Sequence, residues 1–156
     1  CGNTDWPSNN VCYWRSRDGP GKWRWVLYDT DLGFGLHGKG YSMDMFTWLR
    51  ERYTAEGVFI PNTLLIFMEL MKTTEFRDAF NNAVAEQMET VYHPDNVTAL
   101  IDSMQQVLSA EMENHSERWG MTMEDWHAEI EKMKEFARLR PGFLLEHFHL
   151  HLQYAQ

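Results

Sequence analysis

At 156 residues the chain is long enough for one substantial hydrophobic core and too short for two large domains. Seven Trp, nine Phe and six Tyr exclude a largely disordered chain, and a net charge of −9 argues against a nucleic-acid binder, which would carry a basic face. No run approaches the roughly 18 apolar residues of a membrane-spanning helix, and no basic segment followed by an apolar one marks a signal peptide.

The chain opens on a polar cluster of Asn3, Asp5, Asn9 and Asn10. Val11 to Arg15 reads as a strand, Asp18-Gly19-Pro20-Gly21 as a turn, and Lys22 to Tyr28 as the returning strand of a β-hairpin. The second strand runs into Asp29-Thr30-Asp31-Leu32-Gly33-Phe34-Gly35, and Gly33, Gly35, Gly38 and Gly40 make Leu32 to Tyr41 a loop. Ser42 is placed to cap a helix that ends near Tyr53. Pro61-Asn62 opens a second, carrying Leu65, Ile66, Met68 and Leu70. Phe76, Phe80, Val84 and Met88 recur at helical spacing and predict a third helix from Thr74 to Thr90.

His93-Pro94 interrupts that pattern, and Asp95 is placed to cap a long helix containing Leu100, Met104, Val107, Leu108 and Met112. Thr122 with Asp125 resembles a capping box for a further helix that presents Trp126, Ile130, Met133 and Phe136. Arg140-Pro141-Gly142 should end it. The alternation in Phe148-His149-Leu150-His151-Leu152 favours a strand, with a helix as the alternative. The expectation is a single α+β, mainly helical domain over 1–156. It comprises a loop and hairpin region over 1–41, a helical body over 42–142, and a C-terminal strand or tail over 143–156. A lone hairpin is marginal in water, so it must pack on the helices.

Acidic and amide oxygens converging from two loops suit a hard divalent cation such as Mg²⁺ or Mn²⁺, which would in turn recruit phosphate oxygens. Phosphoryl transfer is the sharpest reading of Asp5, Asn10, Asp29 and Asp31. The same residues have plainer uses. Asp5, Asn9 and Asn10 can satisfy backbone groups in turns, and Asp29 and Asp31 can hold a structural Ca²⁺ or hydrogen-bond within their loop. The later ligands and terminal glutamate of an EF-hand are lacking, which excludes that motif. His147, His149 and His151 would share one side of a terminal strand, as a Zn²⁺ site requires, although an alternating polar edge is the simpler account. Cys1 and Cys12 form no CxxC pair and read as free thiols.

Several blocks together resemble the spore coat protein H (CotH) kinase-like family, specifically its C-terminal, or large, lobe. They are Asn3-Thr4-Asp5-Trp6-Pro7-Ser8-Asn9-Asn10-Val11, Lys22-Trp23-Arg24-Trp25, Tyr28-Asp29-Thr30-Asp31-Leu32-Gly33-Phe34-Gly35, Glu75-Phe76-Arg77, Glu111-Met112 and the stretch from Arg118-Trp119 to Arg140-Pro141. The resemblance implies an atypical protein kinase, secreted or at the cell surface, that uses ATP with Mg²⁺ or Mn²⁺ to phosphorylate protein serine or threonine. It implies that Asp5 is the catalytic-loop aspartate and that Asn10 and Asp29 hold the metal, with Asp31 assisting. A kinase also needs a phosphate-covering loop and a lysine for the phosphates. No G-x-G-x-x-G run occurs, nor any Ala-x-Lys strand ahead of Asp5. The chain therefore reads as a large lobe separated from an N-terminal lobe, inactive alone. The alternatives are a noncatalytic surface or carbohydrate-associated module and a pseudokinase scaffold.

Overall fold

The computed structural model describes residues 1–38, 40–57 and 59–153, with the side chains of residues 37, 152 and 153 excepted. The expected fold class holds: a mainly helical α+β chain with an N-terminal hairpin packed against a helical body. Strands β1 (Cys12–Trp14) and β2 (Arg24–Val26) are antiparallel, with Tyr13 opposite Trp25. Both are shorter than the sequence suggests. The connection between them is broad, with Gly19 at φ +88° and Ser16 Oγ accepting from the Asp18 N–H at 3.2 Å. A 3₁₀ turn follows at Leu36–Gly38.

Helix α1 spans Met45–Thr54 and is capped by Asp44 rather than Ser42. The Asp44 carboxylate accepts the N–H groups of Phe46 and Thr47 at 3.0 and 3.1 Å, satisfying donors that have no intrahelical partner. Helix α2, Asn62–Leu70, starts after Pro61 as the sequence indicates and buries Leu64 completely. Its C-terminal end is closed by the guanidinium of Arg77, which donates to the Met71 and Lys72 carbonyls. Helix α3 is Thr74–Glu89.

Helix α4, Pro94–Trp119, is capped by His93 instead of Asp95: the His93 ring accepts from the Asp95 N–H, and Pro94 takes the first helical position. Gly120, at φ +68°, supplies the left-handed residue that ends it. The Thr122–Asp125 box forms as read, each backbone N–H bonding the other side chain at 3.0 Å. It opens α5, Met123–Gln153, which folds back along α4. Ile101, Ile130 and Ala137 form the buried centre of that pair, with Phe34, Val97 and Trp126 packed around it. Lys134 reaches Asp102 across the seam at 2.5 Å.

The sequence expectation fails at the C-terminal end. Helix α5 does not stop at Arg140-Pro141, and Phe148 to Leu152 are helical rather than a strand. Pro141 withholds one N–H from the helix, but the turns beyond it gain burial. Phe148 is 6% exposed and lies against Phe46 and Phe80, while Phe143 packs on Tyr41. Alternating apolar residues gave a strand period only because both faces of this short segment carry apolar groups. The rest of that expectation, at 154–156, lies outside the described residues.

A helix interrupted by proline forfeits about 3 kcal/mol relative to alanine. Pro141→Ala should accordingly stabilise the protein by about 1–3 kcal/mol, seen as a higher urea midpoint at unchanged slope. Destabilisation would mean that the chain bends at Pro141 and does not continue as a helix.

Candidate active site

The two polar loops seen in the sequence do meet. Asn10 Nδ2 donates to Asp5 Oδ2 at 2.8 Å and to the Asp29 carbonyl at 3.3 Å, so one amide joins the loop before the hairpin to the loop after it. Asn9 Nδ2 stands 3.5 Å from the same Asp5 oxygen, and the Asp5 N–H donates to Asn3 Oδ1 at 2.9 Å. Asp5 and Asn10 are half-buried, whereas Asp29 and Asp31 are exposed. Asn10 and Asp29 both take positive φ, 52° and 49°. Non-glycine residues in this region store strain that the surroundings must hold in place, and they concentrate at functional sites.

Those surroundings are specific. Trp6 packs edge-on against Phe67 of α2 at 5.3 Å, Thr63 Oγ1 donates to the Pro7 carbonyl, and Arg52 of α1 donates to Ser8 Oγ at 2.9 Å. The Asp5 loop is thereby fixed to α1 and α2. The second loop is fixed elsewhere: Gly33 N–H closes a turn onto the Thr30 carbonyl, the Phe34 N–H donates to the Cys1 carbonyl, and Phe34 packs on Phe136 of α5. Gly33 lies so close to Cys1 that a Cβ would come within 3.2 Å of it. Cys1 and Cys12 are unpaired and exposed.

The electrostatics are those of crowded carboxylates. The Asp29 carboxyl is raised above its ordinary range, first by a hydrogen bond shared with Asp31, then by burial and by the charges of Asp31 and Asp5. Only the Asn10 amide acts against this. Oxygen donors with surplus negative charge fit a hard cation in type. Among the described residues no three His, Cys, Asp or Glu side chains are arranged to hold a metal ion. Mg²⁺ does not demand such a cage, since it commonly rests on one or two carboxylates together with waters and substrate phosphates. The residues that would hold it are Asn10, Asp29 and Asp31.

Beside these loops lies a cavity of about 640 Å³ between the hairpin and helices α1, α2, α3 and α5. Val26 and Leu27 form one wall, Phe46, Leu49, Ile66 and Phe67 the other, and Asn9, Asn10 and Thr30 also reach it. Its described walls carry no carboxylate. Arg140 stands on those walls, and Asn10 is shared between the cavity and the polar loops.

The histidines expected on one strand face are separated by the helix. His149 is exposed, while His147 and His151, one turn apart, both face Asp44. His151 Nε2 lies 2.6 Å from Asp44 Oδ2. Burial alone would raise the Asp44 carboxyl, but hydrogen bonds from His151, the Thr47 hydroxyl and the Thr47 N–H outweigh it and lower the group from 3.8 to about 2. Asp44, and Arg140 beside it, were not read as functional. The Asp44-x-x-Thr47 capping pattern was the available signal for the first.

With this geometry in view, comparison with protein families gives a match to the CotH kinase protein family over residues 1–144. The chain belongs to that family. Comparisons with curated proteins and with solved structures give no match. Family membership agrees with ATP and metal use in general, and no described helix is long and apolar enough to cross a membrane.

Two outcomes follow from the carboxylates. Asp31→Asn should lower the Asp29 carboxyl toward its ordinary range, because the shared hydrogen bond and the neighbouring charge are both removed; a carbon-detected NMR titration reads this directly. An unmoved Asp29 would show that Asp31 is not what raises it. For Asp44 the folded value lies below the unfolded one, so its stabilisation is present above about pH 4 and is lost as pH falls through about 2. Asp44→Asn should lower the melting temperature at neutral pH and flatten its dependence on pH in that acid window.

Proposed function

We propose that this chain is the large lobe of an atypical protein kinase that transfers the γ-phosphoryl group of ATP to serine or threonine hydroxyls of protein substrates. The observation that carries the reading is the Asn10 amide bridging the Asp5 carboxylate and the Asp29 carbonyl. In this reading Asp5 orients the acceptor hydroxyl and receives its proton as the oxygen–phosphorus bond forms and the bond to ADP breaks. Asn10 and Asp29, with Asp31, hold the cation. Mg²⁺ or Mn²⁺ bound there supplies charge neutralisation for the phosphates. The phosphate-covering loop and the phosphate-pairing lysine are assigned to an N-terminal lobe, and the large lobe by itself turns over little or no ATP. A secreted or cell-surface setting belongs to the same proposal and rests on the family alone.

One observation favours a second reading. Tyr13, Trp23 and Trp25 are each more than half exposed, Tyr13 packs edge-on against both tryptophans, and Arg15 covers the Trp23 face at 4.9 Å. Such a platform suits a noncatalytic surface or carbohydrate-associated module. A pseudokinase scaffold would keep the fold without binding metal-nucleotide.

Calorimetry of the two-lobe polypeptide with ATP and Mg²⁺ or Mn²⁺ decides between these. The kinase reading expects metal-dependent ATP binding that Asp29→Ala abolishes. Asp5→Asn should retain that binding but lose transfer by about 10²-fold or more. A folded polypeptide with no metal-dependent nucleotide binding would overturn the reading in favour of the module or the scaffold.

A further inference from the structure

Arg140 is only 7% exposed, an unusual position for a guanidinium unless its donors are matched. Two of them are matched by backbone. Nη1 donates to the Tyr41 carbonyl at 2.8 Å and to the Met43 carbonyl at 2.6 Å. Both carbonyls lie on the segment by which the chain leaves the Asp29–Asp31 loop and enters α1. The same guanidinium lies over the Phe136 ring, 6.0 Å from its centroid, and Phe136 packs on Phe34 at 5.4 Å. Phe34 directly follows Asp31-Leu32-Gly33, and its N–H donates to the Cys1 carbonyl at 2.9 Å, just ahead of Asn3 and Asp5. One short stretch of α5 thus touches the end of the acidic loop and, through Phe34, the start of the Asp5 loop.

We propose that Arg140 is a positioning residue for this site: by pinning residues 41 to 43 and, through Phe136 and Phe34, the end of the acidic loop, it fixes where Asp29 and Asp31 stand relative to Asp5. The inference rests on the reading of those carboxylates as the metal-holding and catalytic groups. A side chain serving only to fill the core would be apolar, since burying a guanidinium costs free energy that an aliphatic group would not. What arginine adds is a planar, permanently charged donor that holds two carbonyls in fixed directions. Lysine, a flexible point charge, does not reproduce this.

The test compares the intact protein with Arg140→Lys, and with Phe34→Leu, which cuts the link without removing the buried charge. Amide exchange is read at Gly33, Phe34 and Met43, whose N–H groups bond the Thr30, Cys1 and Gly40 carbonyls. Positioning predicts that these amides exchange about tenfold faster in Arg140→Lys while the α4 amides keep their protection. It also predicts that titration with MnCl₂ alone shows weaker binding by the variant, and that Phe34→Leu loosens Gly33 and Phe34 in the same way. Acceleration confined to Met43, or spread evenly over α4 and α5, would overturn the proposal, the second pattern marking Arg140 as a plain stability residue. If the unaltered protein takes up no Mn²⁺, the metal reading fails instead. The exchange pattern at Gly33 and Phe34 then still decides whether Arg140 sets the loops.

Discussion

Carboxylates repel one another, and here Asp5, Asp29 and Asp31 stand close enough for the Asp29 carboxyl to be raised by both neighbours. Their loops also hold Asn10 and Asp29 at positive φ, a conformation costing of order 1–3 kcal/mol per residue. Left to itself, a chain in this state would relax by moving the loops apart. It stays because each loop is fastened to a different part of the helical body: Trp6 and Pro7 to α2, Phe34 to α5. The Asn10 amide and the bond from Phe34 to Cys1 then tie the loops to each other. The helices matter to the site because they supply these anchors on rigid elements.

Helix α5 holds the chain that follows the acidic loop along much of its course. Phe136 meets Phe34, Arg140 meets the carbonyls of Tyr41 and Met43, Phe143 meets the Tyr41 ring, His147 and His151 meet Asp44, and Phe148 meets Phe46. These residues recur three or four apart along one side of the helix. This continuity requires the helix to pass Pro141, so the cost of one lost backbone bond is offset by the contacts made beyond it.

Much of this was legible in the chain. The hairpin followed from the turn residues Asp18 to Gly21, the α4–α5 boundary from Gly120 and the Thr122–Asp125 pair, and the meeting of the two polar loops from the acidic and amide residues flanking the hairpin. What escaped was set by tertiary structure. Asp44 displaced Ser42 as a cap because its carboxylate also answers His151, 107 positions away, which no local pattern records. Asp95 yielded to His93 because Pro94 already fits the first turn, and either residue is a reasonable cap on its own. The helix beyond Pro141 was hidden for the same reason, since only packing against Phe46 and Phe80 makes that segment helical. For the same reason Arg140 read as a helix end and gave no sign of its two carbonyl partners.

Phosphoryl transfer asks little covalent chemistry of a protein and a great deal of positioning. If that is the activity, the residues that specify it extend beyond the carboxylates to the groups that hold them against their own repulsion. A carboxylate can be recognised by its type and spacing. A positioning residue cannot, because its partners are backbone atoms that every residue possesses. The cavity beside the loops adjoins them: Asn10 and Arg140 stand on its otherwise mainly apolar walls, while the carboxylates lie on the loop surface.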